Sequence, residues 1–183
     1  MKKKNSVFIA TSLDGYIADK NGGIDWLNSI SGLDEVDTGY NEFMSRIDAL
    51  VMGRSTFETV CGFDIDWPYQ KPVFVMSRNM TEIPEKLRDK VYLVKGTLTE
   101  ILEQIHEKSY HRLYIDGGKV IQSFLKEDLI DDMIITIIPV LLGSGIPLFA
   151  DLSKPLNFEC KKSTIYLNKV VQNHFTRTKN VNN

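Results

Sequence analysis

The sequence predicts an α/β fold: one mixed, mostly parallel sheet flanked by helices and ending in an antiparallel hairpin. Three observations carry this. Short runs dominated by Val, Ile, Tyr and Phe recur along the chain, as buried or half-buried strands require. Segments with apolar residues at helical spacing lie between the middle runs, so the strands they join are parallel. The last two runs meet at Asn168-Lys169, which reads as a hairpin. With 183 residues, the chain is expected to fold as one domain over residues 1–178, with 179–183 as a polar tail.

The elements follow in order. Residues 6–10 form the first strand. A long Gly-containing loop, residues 14–41, comes next, and long loops in compact domains often carry function. A short helix over 40–47 turns Phe43, Met44 and Ile47 inward. Residues 49–52 are a strand, and a helix follows Ser55. Strands at 73–77 and 91–94 are separated by polar chain. A helix over 99–108 places Ile101, Leu102 and Ile105 on one face. The strand at 112–116 leads into a helix over 120–125 with Val120, Ile121, Phe124 and Leu125 inward. Residues 133–140, 162–167 and 170–177 complete the strands.

Composition narrows the function classes. A formal net charge of -2 excludes a general nucleic-acid binder, which needs a basic face. Lys2-Lys3-Lys4 precedes only a short apolar stretch, Val7 to Ala10, so neither a signal peptide nor a membrane span is expected. Cys61 and Cys160 form no CxxC pair, and a reducing cytoplasm is the expected setting.

Two phrases point to bound phosphate. In Leu50-Val51-Met52-Gly53-Arg54-Ser55-Thr56, Gly53 permits close backbone approach. Ser55 or Thr56 can cap the helix, and Arg54 adds a fixed charge with a planar donor fork. A capped helix with a surface Arg has the same signature. Leu113-Tyr114-Ile115-Asp116-Gly117-Gly118-Lys119 repeats the design, with Gly-Gly at the carboxyl end of a strand and a helix opening behind it. Two anion seats in one domain imply a pyrophosphate and hence a dinucleotide. Ser77-Arg78 ends another strand. An Arg there meets a ribose or an added 2′-phosphate, favouring NADP over NAD, or else sits in an ordinary polar turn. Other templates fail. GxGxxG, GxSxG and GxxxxGK[ST] are absent. Asp19, Asn21 and Asp25 lack the Gly and closing Glu of a calcium loop. His106, His111 and His174 lie apart and are expected at the surface, so no metal site is expected.

Longer stretches then become recognisable: Phe8-Ile9-Ala10-Thr11-Ser12-Leu13-Asp14-Gly15-Tyr16-Ile17-Ala18, Asp25-Trp26-Leu27, Met52-Gly53-Arg54, Trp67-Pro68-Tyr69, Asp116-Gly117-Gly118, and the run from Ile138 to Phe149. In these the chain resembles the dihydrofolate reductase superfamily, in the branch related to the reductase domain of bifunctional riboflavin-biosynthesis proteins. The resemblance implies a dihydrofolate-reductase-like sheet and NADPH as cofactor. It assigns Gly53, Arg54, Ser55 and Thr56 to the phosphates, Ser77 and Arg78 to the adenosine side, and Gly117, Gly118, Lys119 and Val120 to the pyrophosphate. Ala10, Gly15, Tyr16 and Ile17 border the nicotinamide.

The resemblance also implies a catalytic carboxylate ahead of the first helix, which matches Asp37; the same residue reads equally as a helix cap. Trp26, Tyr40 and Phe43 either stack on a flat heterocycle or belong to the core. The implied partner is a small heterocyclic substrate, and the activity is most like 5-amino-6-(5-phosphoribosylamino)uracil reductase. A dihydrofolate reductase and a non-catalytic NADP-binding module are the alternatives. The loop before Tyr40 is acidic and lacks cations between Lys20 and Arg46, so an anionic substrate finds little help there. No zinc deaminase signature is present. The doubly apolar strand near residues 134–142 is either core or a homodimer face.

Overall fold

The computed structural model describes residues 2–178; the expected polar tail at 179–183 lies outside them. Ten strands are present among the described residues: β1 (Lys4–Ser12), β2 (Tyr16–Ala18), β3 (Ala49–Gly53), β4 (Val73–Met76), β5 (Val91–Val94), β6 (Arg112–Asp116), β7 (Asp132–Ile138), β8 (Ile146–Pro147), β9 (Phe158–Tyr166) and β10 (Val170–Arg177). The helices are α1 (Tyr40–Ser45), α2 (Arg54–Cys61), α3 (Leu98–Glu107) and α4 (Gly118–Lys126). Eight strands make one sheet in the order β5-β4-β3-β6-β1-β7-β10-β9, and β2 pairs with β8 in a small separate ribbon. Every pairing from β5 to β7 is parallel; β10 is antiparallel to both of its neighbours.

Burial on both faces explains the apolar runs. One face of the sheet packs Ile115, Val51 and Ile135 under Ile101, Ile105, Ile121 and Phe124 of α3 and α4. The other packs Leu50, Met52 and Val75 under Phe43 of α1 and Phe57 of α2. Each such fully buried apolar side chain contributes roughly 1.5–3 kcal/mol. On β7, Ile134, Ile135 and Ile138 are all buried between β1 and β10. That strand is core, and its body offers no dimer face.

Several boundaries differ from the sequence reading. The helix expected over 40–47 ends at Ser45. The strand expected over 162–167 starts earlier, at Phe158, because a charged, exposed edge strand lacks the apolar signature. Its Lys-rich edge also discourages further pairing. The hairpin turn centres on Leu167 and Asn168, both at positive φ, with the Lys169 amide donating to the Tyr166 carbonyl at 2.9 Å. This matches the twist of a two-residue turn and lies one residue before the expected place. The long loop holds β2 and a 3-10 turn at Asp25–Ser29. The histidines are half-buried rather than superficial; the His174 Nε2 lies 3.0 Å from Asp132.

One ion pair ties the amino ends of β3 and β6. Asp48 accepts from the Arg112 guanidinium at 2.7 and 3.1 Å, and from the amides of His111 and Arg112. Burial alone would raise its pKa, but the guanidinium and the two amides hold it at about 2. Its folded value lies below the ordinary 3.8. Its stabilisation is therefore complete above that value and is lost as pH falls toward 2. Asp48→Asn is expected to cost about 1–2 kcal/mol in urea unfolding at pH 7. The gap between the two proteins should close in acid; equal stability at pH 7 would contradict the assignment.

Candidate active site

The strand register opens a cleft at the carboxyl edge of the sheet. β6 follows β3 through Met52↔Asp116, but it pairs with β1 only from Lys4↔Arg112 to Ser6↔Tyr114. β1 continues along β7 to Ser12↔Ile138. Past Tyr114 the sheet is therefore split between β6 and β1. The Tyr114 hydroxyl bridges the start of the split, donating to the Phe8 carbonyl at 2.8 Å. Clefts at carboxyl ends of parallel strands are where α/β folds place ligands.

Two helix starts converge on this split. A Cβ added at Gly117 would lie 2.2 Å from Thr56 Oγ1, and one at Gly53 would lie 3.2 Å from Val120 Cγ2. The starts of α2 and α4 thus touch, and at Gly117 only glycine fits between them. Gly117 sits at φ +85, a region closed to most side chains. Among the three longer helices, α3 opens on a complete capping box of Thr97 and Glu100, whereas α2 and α4 open on Gly53 and Gly117 with no side-chain cap. The cap expected from Ser55 or Thr56 is not formed, because the helix already begins at Arg54. The consequence is that the first amides of α2 and α4 have no side-chain acceptor. They present two partial positive charges beside each other.

The β2–β8 ribbon roofs the start of α4. A Cβ on Gly118 would lie 2.9 Å from Ile17 Cδ1, and one on Gly145 would meet the Ala18 carbonyl at 2.2 Å. The Gly15 carbonyl accepts from Leu148 at 2.9 Å, and the Tyr16 amide donates to Ser12 Oγ at 2.9 Å. Asp14 clamps the roof, accepting from Ser12 Oγ and from the amides of Leu142 and Gly143. The Ser12 hydroxyl bond and these amides lower its pKa.

The predicted residues fall into groups. Gly53, Thr56, Gly117, Gly118, Val120 and Ile17 are brought together. Ser55 and Lys119 are exposed on the same helix starts. Arg54 is half-exposed and pairs with Glu58 at 2.7 Å, a surface bridge of small energy that a phosphate can displace. Ser77 caps its own turn, accepting from the Met80 amide at 3.0 Å. Arg78 is exposed with no ion pair among the described residues. Ala10 lines a cavity of about 680 Å³ on the other side of the split, with Phe8, Leu27, Ile30, Leu33, Thr38, Thr136 and Ile138. A hollow of about 710 Å³ beside β5 and α3 lies away from these residues.

Three expectations on the substrate side need correction. Asp37 is exposed, lies outside the cavity lining and accepts from the Gly39 amide at 2.8 Å. The N-cap of α1 is Gly39, so Asp37 orders the turn ahead of it rather than capping it or entering an apolar cleft. Phe43 is 3% exposed and packs on Phe8 and Tyr114 at centroid distances of 5.2 Å; it belongs to the core. Trp26 lies on the 3-10 turn outside the cavity lining, its Nε1 buried without a partner. Tyr40 keeps partial exposure, edge-on to Phe8 at 5.4 Å.

The sequence reading missed the carboxylate best placed for proton chemistry. Asp116 ends β6 at the split. Burial raises its pKa to about 6, although the Gly117 amide and the Tyr114 hydroxyl pull it down. Tyr40, Tyr69 and Tyr114 surround it, and burial together with its charge raises the pKa of each. An ionisable residue closing an apolar strand just before Gly-Gly was the available signal.

Among the described residues no helix is long and apolar enough to cross a membrane, and no three His, Cys, Asp or Glu residues gather as a metal site. The chain is 37% identical over 180 residues to the uncharacterized protein YwjB of Bacillus subtilis (strain 168), covering 97% of this chain and 99% of YwjB. A crystal structure from Shewanella sp. PV-4, provisionally named for riboflavin biosynthesis, superposes with a TM-score of 0.92 at 54% identity, covering 96% and 99% of the two chains. The deaminase/5-amino-6-(5-phosphoribosylamino)uracil reductase of Thermotoga maritima shares the fold with a TM-score of 0.76 at 15% identity. There the match covers 97% of this chain but only 57% of that longer one. Dihydrofolate reductase of Enterococcus faecalis, complexed with NADP(H), shares it at 0.65 and 17%, covering 96% and 97%. The RibD C-terminal domain family matches residues 4–172, and the chain belongs to that family.

Proposed function

We propose that this protein is an NADPH-dependent reductase of a small heterocycle, of the type named for the Thermotoga relative. The observation that carries the reading is the contact between the starts of α2 and α4, uncapped and joined through Gly117 and Thr56. Uncapped amides of two helix starts side by side suit the charge of a pyrophosphate. In this reading Gly53 to Thr56 and Gly117 to Val120 hold the phosphates. Arg54 and Arg78 favour an added 2′-phosphate, and Ser77 lies beside Arg78 on the adenosine side. Ala10, Gly15, Tyr16 and Ile17 border the nicotinamide.

The bound cofactor supplies a hydride, and the protein aligns the acceptor and provides a proton. The cavity floored by Ala10 and Thr136 orients the heterocycle, and Tyr40 packs edge-on against Phe8 of its lining. Asp116, protonated in part near neutral pH, holds the proton at its carboxyl oxygen beside the split. A homodimer belongs to this reading through exposed Leu13, Leu141 and Phe149 near the roof loops. The test is whether purified protein binds NADPH and passes its hydride to an aminopyrimidine. Binding with NADPH consumption is the expected result; absence of NADPH binding refutes the reading.

A further inference from the structure

We infer that the substrate of this site is a heterocycle without a phosphate group, uncharged or positively charged. The inference rests on the reductase reading and departs from the phosphorylated substrate in the Thermotoga relative's name. The lining of the cavity contains Asp34 and Glu35 but no Lys, Arg or His. Both carboxylates are exposed to solvent within that lining. No cation lies between Lys20 and Arg46 in the chain, and Arg46 is drawn to Glu42 at 3.8 Å. Lys4, the basic residue on β1, is held by Asp132 at 3.0 Å at the opposite end of the strand.

A phosphate bound here would have neither a fork of donors nor a point charge to meet it. It would stand beside two carboxylates, whose repulsion is only partly screened in a cleft. The polar groups that remain, such as Asn28, Ser31, Thr38 and Thr136, suit hydroxyl and amino substituents. The floor of Phe8, Ala10 and Ile138 suits a flat ring. A volume of about 680 Å³ has room for a heterocycle with a sugar-sized substituent.

The experiment is calorimetric titration with 5-aminouridine and with 5-aminouridine 5′-monophosphate, on protein saturated with NADP+. The nucleoside is expected to bind at least about tenfold more tightly, and added salt should strengthen the nucleotide alone. The D34N/E35Q double variant should close most of that gap by improving the nucleotide, while the melting temperature stays near the parent value. Equal or tighter binding of the nucleotide by the parent protein overturns the inference, and so does failure of both ligands to bind at millimolar concentration. If NADP+ itself does not bind, the reductase reading fails. The selectivity is then read on the protein alone.

Discussion

Gly117→Ala is expected to weaken NADPH binding by about 100-fold or more, the largest loss foreseen for any single methyl group here. Two effects combine. The residue sits at φ +85, and the added Cβ would lie 2.2 Å from Thr56 Oγ1. Relieving that overlap forces the starts of α2 and α4 apart, which spoils the shared seat. The backbone conformation itself costs an alanine about 1–3 kcal/mol, so the free protein should also melt earlier. A second substitution separates the two effects. Thr56→Ala in the same chain removes the clashing oxygen, so it should recover part of the stability and part of the affinity. Gly118→Ala is the milder comparison, because its nearest neighbour is the flexible tip of Ile17 at 2.9 Å. If Gly117→Ala bound NADPH as the parent does, the two starts would not form one seat.

Asp116→Asn is expected to lower kcat by about 100-fold or more while stabilising the protein above pH 6. The sign follows from the shift. Burial leads the causes that lift the folded pKa from 3.8 to about 6. A group raised in this way contributes most below its unfolded value and loses that contribution as pH rises through its folded value. At pH 7.5 the parent therefore holds a disfavoured, partly buried charge. Replacing it by a neutral amide that still accepts from Gly117 should gain about 1–3 kcal/mol in urea unfolding. In the same variant the fall of kcat/KM as pH rises through about 6 should vanish. A purely structural Asp116 would change stability and leave the pH profile of the rate in place.

The parallel strands were legible because both faces of the sheet are buried. Ala49 to Met52 and Leu113 to Ile115 are continuously apolar for that reason. α3 and α4 were legible from periodicity, and the glycine starts of α2 and α4 from their place beside a strand end. What escaped depended on contacts distant in sequence. β2 and β8 are three and two residues long, too short for any pattern, and exist only because residues 16–18 meet 146–147. β9 carries Glu159, Lys161 and Lys162 on an exposed edge, so its amino-terminal half reads as loop. Asp37 drew attention by its distance from Gly53, yet its exposure is set by the path of the preceding loop. Asp116 was passed over because its neighbours Tyr40, Tyr69 and Tyr114 are brought beside it only in the folded chain. The uncapped state of α2 was likewise hidden: Ser55 and Thr56 look like caps until the helix is seen to start at Arg54.

The central claim is that the touching starts of α2 and α4 hold the pyrophosphate of NADPH. Its most direct test is an equilibrium titration of the purified, cofactor-free protein with NADPH, repeated in the presence of inorganic pyrophosphate and with the Gly117→Ala variant. Saturable binding below millimolar NADPH, displaced by pyrophosphate and lost in the variant, is the predicted result. NADPH that fails to bind, or binds undisturbed by pyrophosphate and by the added methyl group, would contradict it.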